Sequence, residues 1–288
     1  MKGLITKGIG GFYYVLTEEG MIEAKGRGIF KKDGITLAVG DLVELELTED
    51  GKGVINSIEP RKNQFIRPPI VNVDTFIVVF APKKPKPNYI LIDKFLIMAE
   101  MNGIEPIICL NKCDLADEEE IEEIKRIYGD VYPVITVSCV TEQGLDQLKS
   151  VVTGKKAALA GPSGVGKSTI LNHLHPQANM ETGSISHKTS RGKHTTRHVE
   201  IFQLEEGGMI YDTPGFTSFE ILEAEEDNLS HYYPELERYL GQCRYDNCRH
   251  KSEPDCAVVR AVKNKEIHPL RYESYLSNLE EIRNKKRY

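Results

Sequence analysis

From the first residue to about residue 63, apolar positions come in short runs: GFYYVLT, GMIEAKG, ITLAVGDLVELEL and GVINSIE. The runs are broken by Glu18-Glu19-Gly20, Lys32-Asp33-Gly34 and Glu49-Asp50-Gly51. Runs this short and this regularly punctuated predict strands joined by turns, and about five of them suit a small OB-type β-barrel. Arg67-Pro68-Pro69 predicts a stiff linker, because each proline fixes φ and restrains the residue before it. After it the period changes. Residues 73–80 (VDTFIVVF) read as a buried strand, 88–101 as a helix with Ile92, Phe95, Leu96 and Ala99 on one face, and 105–110 as the next strand. A charged amphipathic helix follows over 118–128 and a strand over 131–137. Residues 155–160 (KKAALA) read as a buried strand and 169–174 as the start of a helix. Two further strands follow at 199–204 and 209–211, and Tyr272, Tyr275, Leu276 and Leu279 give a last helix its apolar face. Strand and helix in alternation predict an α/β architecture for the middle of the chain.

Composition changes this picture little. At 288 residues the chain has room for two domains, or three small ones, and 40% hydrophobic residues support real cores. A net charge of −6 does not advertise nucleic-acid binding, so any such surface must come from local patches. The barrel offers one reading: Lys25, Arg27, Lys31 and Lys32 beside Phe12, Tyr13, Tyr14 and Phe30 supply a basic stacking face. The other reading has the aromatics in the core and the lysines merely solvated. The N-terminal stretch lacks an apolar signal region and the longest apolar stretches fall far short of a membrane span, so a cytoplasmic protein is expected. No repeat, coiled coil or oligomer interface is legible, and a monomer is expected.

Chemistry enters at Gly161-Pro162-Ser163-Gly164-Val165-Gly166-Lys167-Ser168, which fits G-x-x-x-x-G-K-[ST] in full, between the strand at 155–160 and the helix opening at Thr169. In that context backbone N–H groups converge on a phosphate and the helix N-terminus adds its partial positive charge. Lys167 is expected to reach the β- and γ-phosphates and Ser168 to ligate Mg2+. Asn111-Lys112-Cys113-Asp114, at the end of an apolar strand, is an NKxD. Asp114 can accept from guanine N1–H and the exocyclic amino group, Asn111 holds the loop and the base edge, and the Lys112 stem lies along the ring. Two charge-assisted hydrogen bonds of ~1.5–3 kcal/mol each imply discrimination against adenine of roughly two to four orders of magnitude. Ser138-Cys139 stands where a GTPase places its short Ser-Ala-type loop over the guanine. Thr195 and Thr196, in Arg191-Gly192-Lys193-His194-Thr195-Thr196, are candidates for a switch-loop Mg2+ ligand that senses the γ-phosphate. Asp212-Thr213-Pro214-Gly215 is a DxxG, with Asp212 expected to hold Mg2+ through water and the Gly215 N–H to meet the γ-phosphate.

The order of these parts is itself informative. It runs G4-G5-G1-G2-G3, with the base-specificity loops before the phosphate loop, so the predicted fold is a circularly permuted α/β P-loop GTPase domain. DxxG then leads out of that domain into Cys243, Cys248, His250 and Cys256, a C-x4-C-x-H-x5-C set. Three thiolates and one imidazole within a short span suit a closed, structural Zn2+ site. Disulfides plus a spare histidine are the other reading of the same residues, although three further cysteines scattered singly do not look like a disulfide framework. Arg244, Arg249, His250 and Lys251, with the tail Arg283-Asn284-Lys285-Lys286-Arg287-Tyr288, suggest RNA phosphates or a solvated end.

With permuted motifs, an N-terminal barrel and this cysteine-histidine set, the chain resembles the RsgA (YjeQ/YloQ) family of small-ribosomal-subunit biogenesis GTPases along essentially its whole length. Arg27-Gly28-x-Phe30, Arg67-Pro68-Pro69, Gly192-Lys193-His194-Thr195-Thr196 and Asp212-Thr213-Pro214-Gly215-Phe216 carry the resemblance. It implies a bacterial cytoplasmic GTPase, slow alone and faster on the 30S subunit, whose barrel and zinc domain contact 16S rRNA late in subunit maturation. The expected layout is an OB-type RNA-binding domain at 1–66, the GTPase domain at 67–221 and a helical zinc domain at 222–288.

Many GTPases place Gln directly after DxxG to orient the attacking water, whereas Phe216 stands here, so His194 is the candidate replacement. Ser163 occupies a slot where small GTPases often need Gly to admit an arginine finger, so activation is expected to come from ordering of the switch loop. Gly164 stands where potassium-activated GTPases carry Asn, and potassium dependence is not expected. Two other functions compete. A P-loop ATPase or kinase is opposed by Asp114 and by the absence of an acceptor-substrate motif. A nucleotide-regulated RNA-binding module with negligible chemistry is poorly separated from an enzyme by the sequence.

Overall fold

Five strands close on themselves at the start of the chain: β1 (Lys2–Ile9), β2 (Phe12–Thr17), β3 (Gly20–Gly26), β4 (Leu42–Leu47) and β5 (Gly53–Ile58). The structure is a computed structural model and describes residues 1–176, 199–213 and 224–285. Antiparallel ladders β1–β2, β2–β3, β4–β5 and β1–β4, with a parallel β3–β5 ladder, give the cyclic order β1-β2-β3-β5-β4. This is the OB-type barrel expected from the punctuated runs. Strand alternation sends Ile5, Val15, Ala24, Val43, Leu45 and Ile55 inward, where all are buried. The run ITLAVGDLVELEL becomes a strand only from Leu42. Ahead of it the backbone turns at Gly40, and the buried Asp41 carboxylate accepts from Ala38 N–H (2.8 Å) and from Arg61 Nε (2.8 Å). A short helix, α1 (Gly28–Lys32), buries Phe30 in the barrel core. Phe12 is half-buried, with the Lys25 and Lys52 ammonium groups 4.4 and 5.7 Å from its ring centroid. The aromatics weighed as a stacking face thus divide, Phe30 going to the core.

The expected linker is a hairpin. β6 (Gln64–Phe65) pairs antiparallel with β7 (Ile70–Val71), and Arg67-Pro68-Pro69 lies at the tip. Asparagine side chains brace its base: Asn63 donates to Val73 O (2.8 Å) and accepts from Val73 N–H (2.9 Å), and Asn72 Nδ2 donates to Gly40 O (2.9 Å).

The α/β part continues as β8 (Thr75–Phe80), α2 (Tyr89–Met101), β9 (Pro106–Asn111), α3 (Glu118–Tyr128), β10 (Val134–Val137), α4 (Leu145–Val152), β11 (Lys156–Ala160), α5 (Lys167–Leu174), β12 (Glu200–Gln203) and β13 (Met209–Asp212). Then come the helices α6 (Pro234–Glu237), α7 (Ala257–Lys263) and α8 (Pro269–Lys285). Asn88 caps α2 by accepting from Leu91 N–H (3.1 Å). Asp117 and Glu120 form a reciprocal capping box at α3.

The chain divides into two units. One comprises Met1–Phe76, Lys149–Leu159 and Lys167–Thr217, the other Ile77–Leu148, Ala160–Gly166 and Ser218–Tyr288. In the first, β11 and β13 run parallel, β12 pairs antiparallel with β13, and β12 meets barrel strand β1 at Lys7↔Glu200. In the second, β10, β9 and β8 lie side by side. There Leu229, Tyr233, Leu236, Val258, Ala261, Tyr275, Leu279 and Ile282 build a core from the C-terminal helices. Among the described residues no helix is long and apolar enough to cross a membrane.

Candidate functional site

In the second unit, β9 delivers Asn111 to the end of a buried strand, and Lys112 takes a left-handed backbone (φ 64°) that turns the chain outward. Both side chains hold the phosphate loop. Asn111 Nδ2 donates to Val165 O (2.8 Å), and Lys112 Nζ donates to Gly164 O (2.7 Å). Gly166 is required for this contact: a Cβ there would stand 2.3 Å from Asn111 Nδ2, and its φ of 98° suits glycine. Asp114 is exposed, and its Oδ1 accepts from the buried Ser138 hydroxyl (2.6 Å). That bond fixes one oxygen of a carboxylate that remains exposed. The Cys139 thiol reaches Asn111 Oδ1 (3.7 Å), and burial pushes that thiol up to about 11. Five residues assigned to base recognition are thereby brought together around Gly161–Gly166, with Ser163 and Gly164 exposed and Val165 buried.

In the first unit, Lys167, Ser168 and Thr169 open α5, and Asp212 is the last residue of β13. Burial lowers the Lys167 ammonium to about 8. A basic group depressed in this way binds its proton more tightly once phosphate oxygens surround it. Ser168 hydroxyl and Asp212 carboxylate are hard oxygen donors, the chemistry Mg2+ takes. His194, Thr195, Thr196 and Gly215 lie outside the described residues, as does Phe216.

The cysteine-histidine set converges. The ligand atoms of Cys243, Cys248, His250 and Cys256 all lie within 4.8 Å of one another. Cys243 Sγ and Cys256 Sγ each stand 3.5 Å from His250 Nδ1 and 3.9 Å from one another. A zinc tetrahedron with its usual bond lengths requires S···S of about 3.8 Å and S···N of about 3.5 Å. All six cysteines are free, so the disulfide reading falls away. Burial lowers the His250 imidazole, which keeps it neutral as a ligand must be, and pushes the Cys248 thiol up to about 12. A metal entering this set must displace protons. Glu253 braces the loop by accepting from Arg249, Lys251 and Ser252 N–H (2.8–2.9 Å). Of the cations weighed for RNA, His250 belongs to this set, Arg249 pairs with Glu226 and Asp227, and Arg244 pairs with Asp255.

The family model described as RsgA GTPase matches residues 58–222, and that described as RsgA N-terminal domain matches residues 2–55. The chain belongs to the RsgA GTPase family. The protein named small ribosomal subunit biogenesis GTPase RsgA from Caldanaerobacter subterraneus subsp. tengcongensis is 45% identical, covering 100% of this chain and 97% of its own. Its counterpart of the same name from Alkaliphilus metalliredigens is 47% identical, covering 100% and 99%. Among solved structures, YjeQ from Thermotoga maritima superimposes with TM-score 0.86 at 36% identity, covering 98% of each chain. YloQ, described as a circularly permuted GTPase, superimposes with 0.82 at 36%, covering 99% and 95%. As an RsgA-family protein the chain is a GTP hydrolase with the permuted motif order expected above.

One cluster in this RsgA-family chain was not anticipated from the sequence. Arg271 of α8 is buried, donates from Nε to Glu235 (2.6 Å) and from Nη1 to Asp93 of α2, and lies against the rings of Tyr128, Tyr132 and Tyr233 at 4.8–5.7 Å. Asp93 also accepts from Tyr128 OH (3.0 Å). Two carboxylates share one guanidinium, and burial, opposed by Arg271, pushes Asp93 up to about 6. On the page of the sequence these charges look like solvated helix positions.

Proposed function

We propose that this chain is an assembly factor of the small ribosomal subunit whose GTP hydrolysis is switched on by the 30S particle. Its resemblance over 100% of its length to proteins named for small-subunit biogenesis carries this reading. The barrel (1–66) and the cysteine-histidine region (222–288, holding one structural Zn2+) grip 16S rRNA, and the domain between them (67–221) binds GTP or GDP as a cytoplasmic monomer. Asp114 reads the guanine edge while Asn111 and Lys112 tie the base loop to the phosphate loop, so that a base correctly seated stiffens the carbonyls beside the phosphates. Ser138 fixes Asp114, and Cys139 lies over the base. Lys167 draws charge from the β- and γ-phosphates. Mg2+, when bound by Ser168, Thr196 and Asp212, supplies charge neutralisation at the phosphates. Gly215 N–H meets the γ-phosphate, and His194, in the loop with Thr195, orients the attacking water.

Steady-state hydrolysis of GTP and of ATP, with and without purified 30S subunits, tests this. Strong stimulation confined to GTP is expected, and His194→Ala should lower stimulated turnover while leaving GTP affinity nearly intact. Equal rates with and without subunits would favour a nucleotide-regulated RNA-binding module instead.

A further inference from the structure

Asp212 ends β13, and the residue before it turns its hydroxyl to the β6–β7 hairpin. Tyr211 is 1% exposed, and its OH donates to Val71 O of the β6–β7 hairpin at 2.6 Å. Burial, with the carboxylates of Asp74 and Asp41 adding to it, holds the phenol above its ordinary value, so it is a donor throughout the working pH range. The receiving wall leaves no room for variation. At Gly40 φ is +100°, and a Cβ would stand 2.2 Å from Val71 O and 2.4 Å from the Tyr211 hydroxyl. The acceptor is itself fixed, since Val71 N–H donates to Val39 O (3.1 Å) and Asn72 Nδ2 donates to Gly40 O (2.9 Å). Along its two edges β13 is paired with β11 at Ala158↔Tyr211 and with β12 at Ile201↔Tyr211 and Glu200↔Asp212. Glu200 is in turn bonded to barrel residue Lys7 at 2.5 Å. The Tyr211–Val71 bond thus leads to the hairpin, and the Glu200–Lys7 pair leads to the barrel.

We infer that Tyr211 is a positioning residue: the Tyr211–Val71 bond, seated on Gly40, fixes the end of β13 and with it the reach of Asp212 toward a nucleotide-bound divalent cation. The inference rests on the reading of Asp212 as a Mg2+-site carboxylate, so Asp212→Asn is measured first. Its expected effect is a large rise in the Mg2+ concentration that half-maximally slows release of a fluorescent GDP analogue. Tyr211→Phe keeps shape and burial and removes one neutral hydrogen bond, so the same half-point should rise about five-fold. Gly40→Ala, which wedges the bond apart, should rise further. Affinity for the analogue in EDTA should stay at the wild-type value in the Tyr211→Phe protein. In nucleotide-free protein, amide exchange at 70–72 and 209–213 should quicken in the same variant, a readout independent of activity. A Tyr211→Phe half-point within two-fold of wild type, while Asp212→Asn shifts it, would overturn the inference and leave the site reading standing. So would a lowered melting temperature with no change in Mg2+ dependence. An unchanged half-point in Asp212→Asn would remove both.

Discussion

The barrel and the C-terminal helical region are of similar size and are held together by different physics. In the barrel every strand finds two neighbours, and its interior is apolar: Ile5, Val15, Phe30, Leu45 and Ile55 are buried. In the C-terminal region short helices are joined by loops, and a four-residue α6 and a seven-residue α7 could not hold their shape alone. Order there depends on two polar centres, the Cys243–Cys248–His250–Cys256 set and the buried Arg271. A closed ladder spreads its stability over many small terms, so no single bond is decisive. A region that relies on one metal-ligating set and one buried cation concentrates it.

The largest consequence of that difference is expected on metal removal. A strong chelator, or Cys248→Ala, should release the C-terminal helices, because a structural zinc supplies about 10–16 kcal/mol to comparable small sites. Amide exchange mapped along the chain should rise across 243–285 and stay at its starting value in β1–β5; equal loss in both regions would break the contrast. Next in size is Arg271→Met, which leaves Asp93 and Glu235 buried without their partner and should cost about 3–5 kcal/mol in urea unfolding. By comparison Ile55→Val in the barrel should cost about 0.5–1.5 kcal/mol by the same measurement. A barrel loss as large as the arginine's would mean that apolar packing there is as concentrated as the ionic centre.

The smallest effect concerns Lys167, a buried cation that the proposed function sets against the nucleotide's phosphates. Burial lowers Lys167 to about 8 against 10.5 for an ordinary lysine. The folded chain therefore holds this proton more weakly than the unfolded one, and between about pH 8 and 10.5 its stability rises with pH. Phosphates favour the charged form, so nucleotide binding takes the proton up, and affinity should fall as pH rises through 8. Between pH 7.0 and 8.5 the titration of one such group weakens binding about four-fold. Isothermal titration should find that change in the wild type and a smaller one in Lys167→Met.

What could be read from the sequence divides along similar lines. The phosphate loop, NKxD and cysteine-histidine set were legible because their chemistry fixes residue type and spacing within 14 residues or fewer. The helices at α2 and α3 were legible from periodicity, and Asn88 and Asp117 mark their starts. The hairpin at 64–71 was not, since Arg67-Pro68-Pro69 signals a rigid bend without saying what pairs on either side of it. Asp93, Glu235 and Arg271 were hidden because a charged residue on a helix carries no mark of burial until its partners, up to 178 positions away, are known. Tyr211 was read only as part of an apolar strand, and its hydroxyl bond depends on a carbonyl 140 residues earlier.

The pairing of Lys7 with Glu200 bears on how the chain is made. The five barrel strands are complete once residue 58 has left the ribosome, and their ladders span short loops. The partner of β1 at Lys7 is translated 193 residues later. At about 5–20 residues per second that leaves a strand edge open for roughly ten seconds or more. An open edge invites pairing with the wrong strand, and a lysine on it is a deterrent that proteins use against such mispairing. Lys7 is a residue of that kind, and in the folded chain it forms the ion pair of this seam.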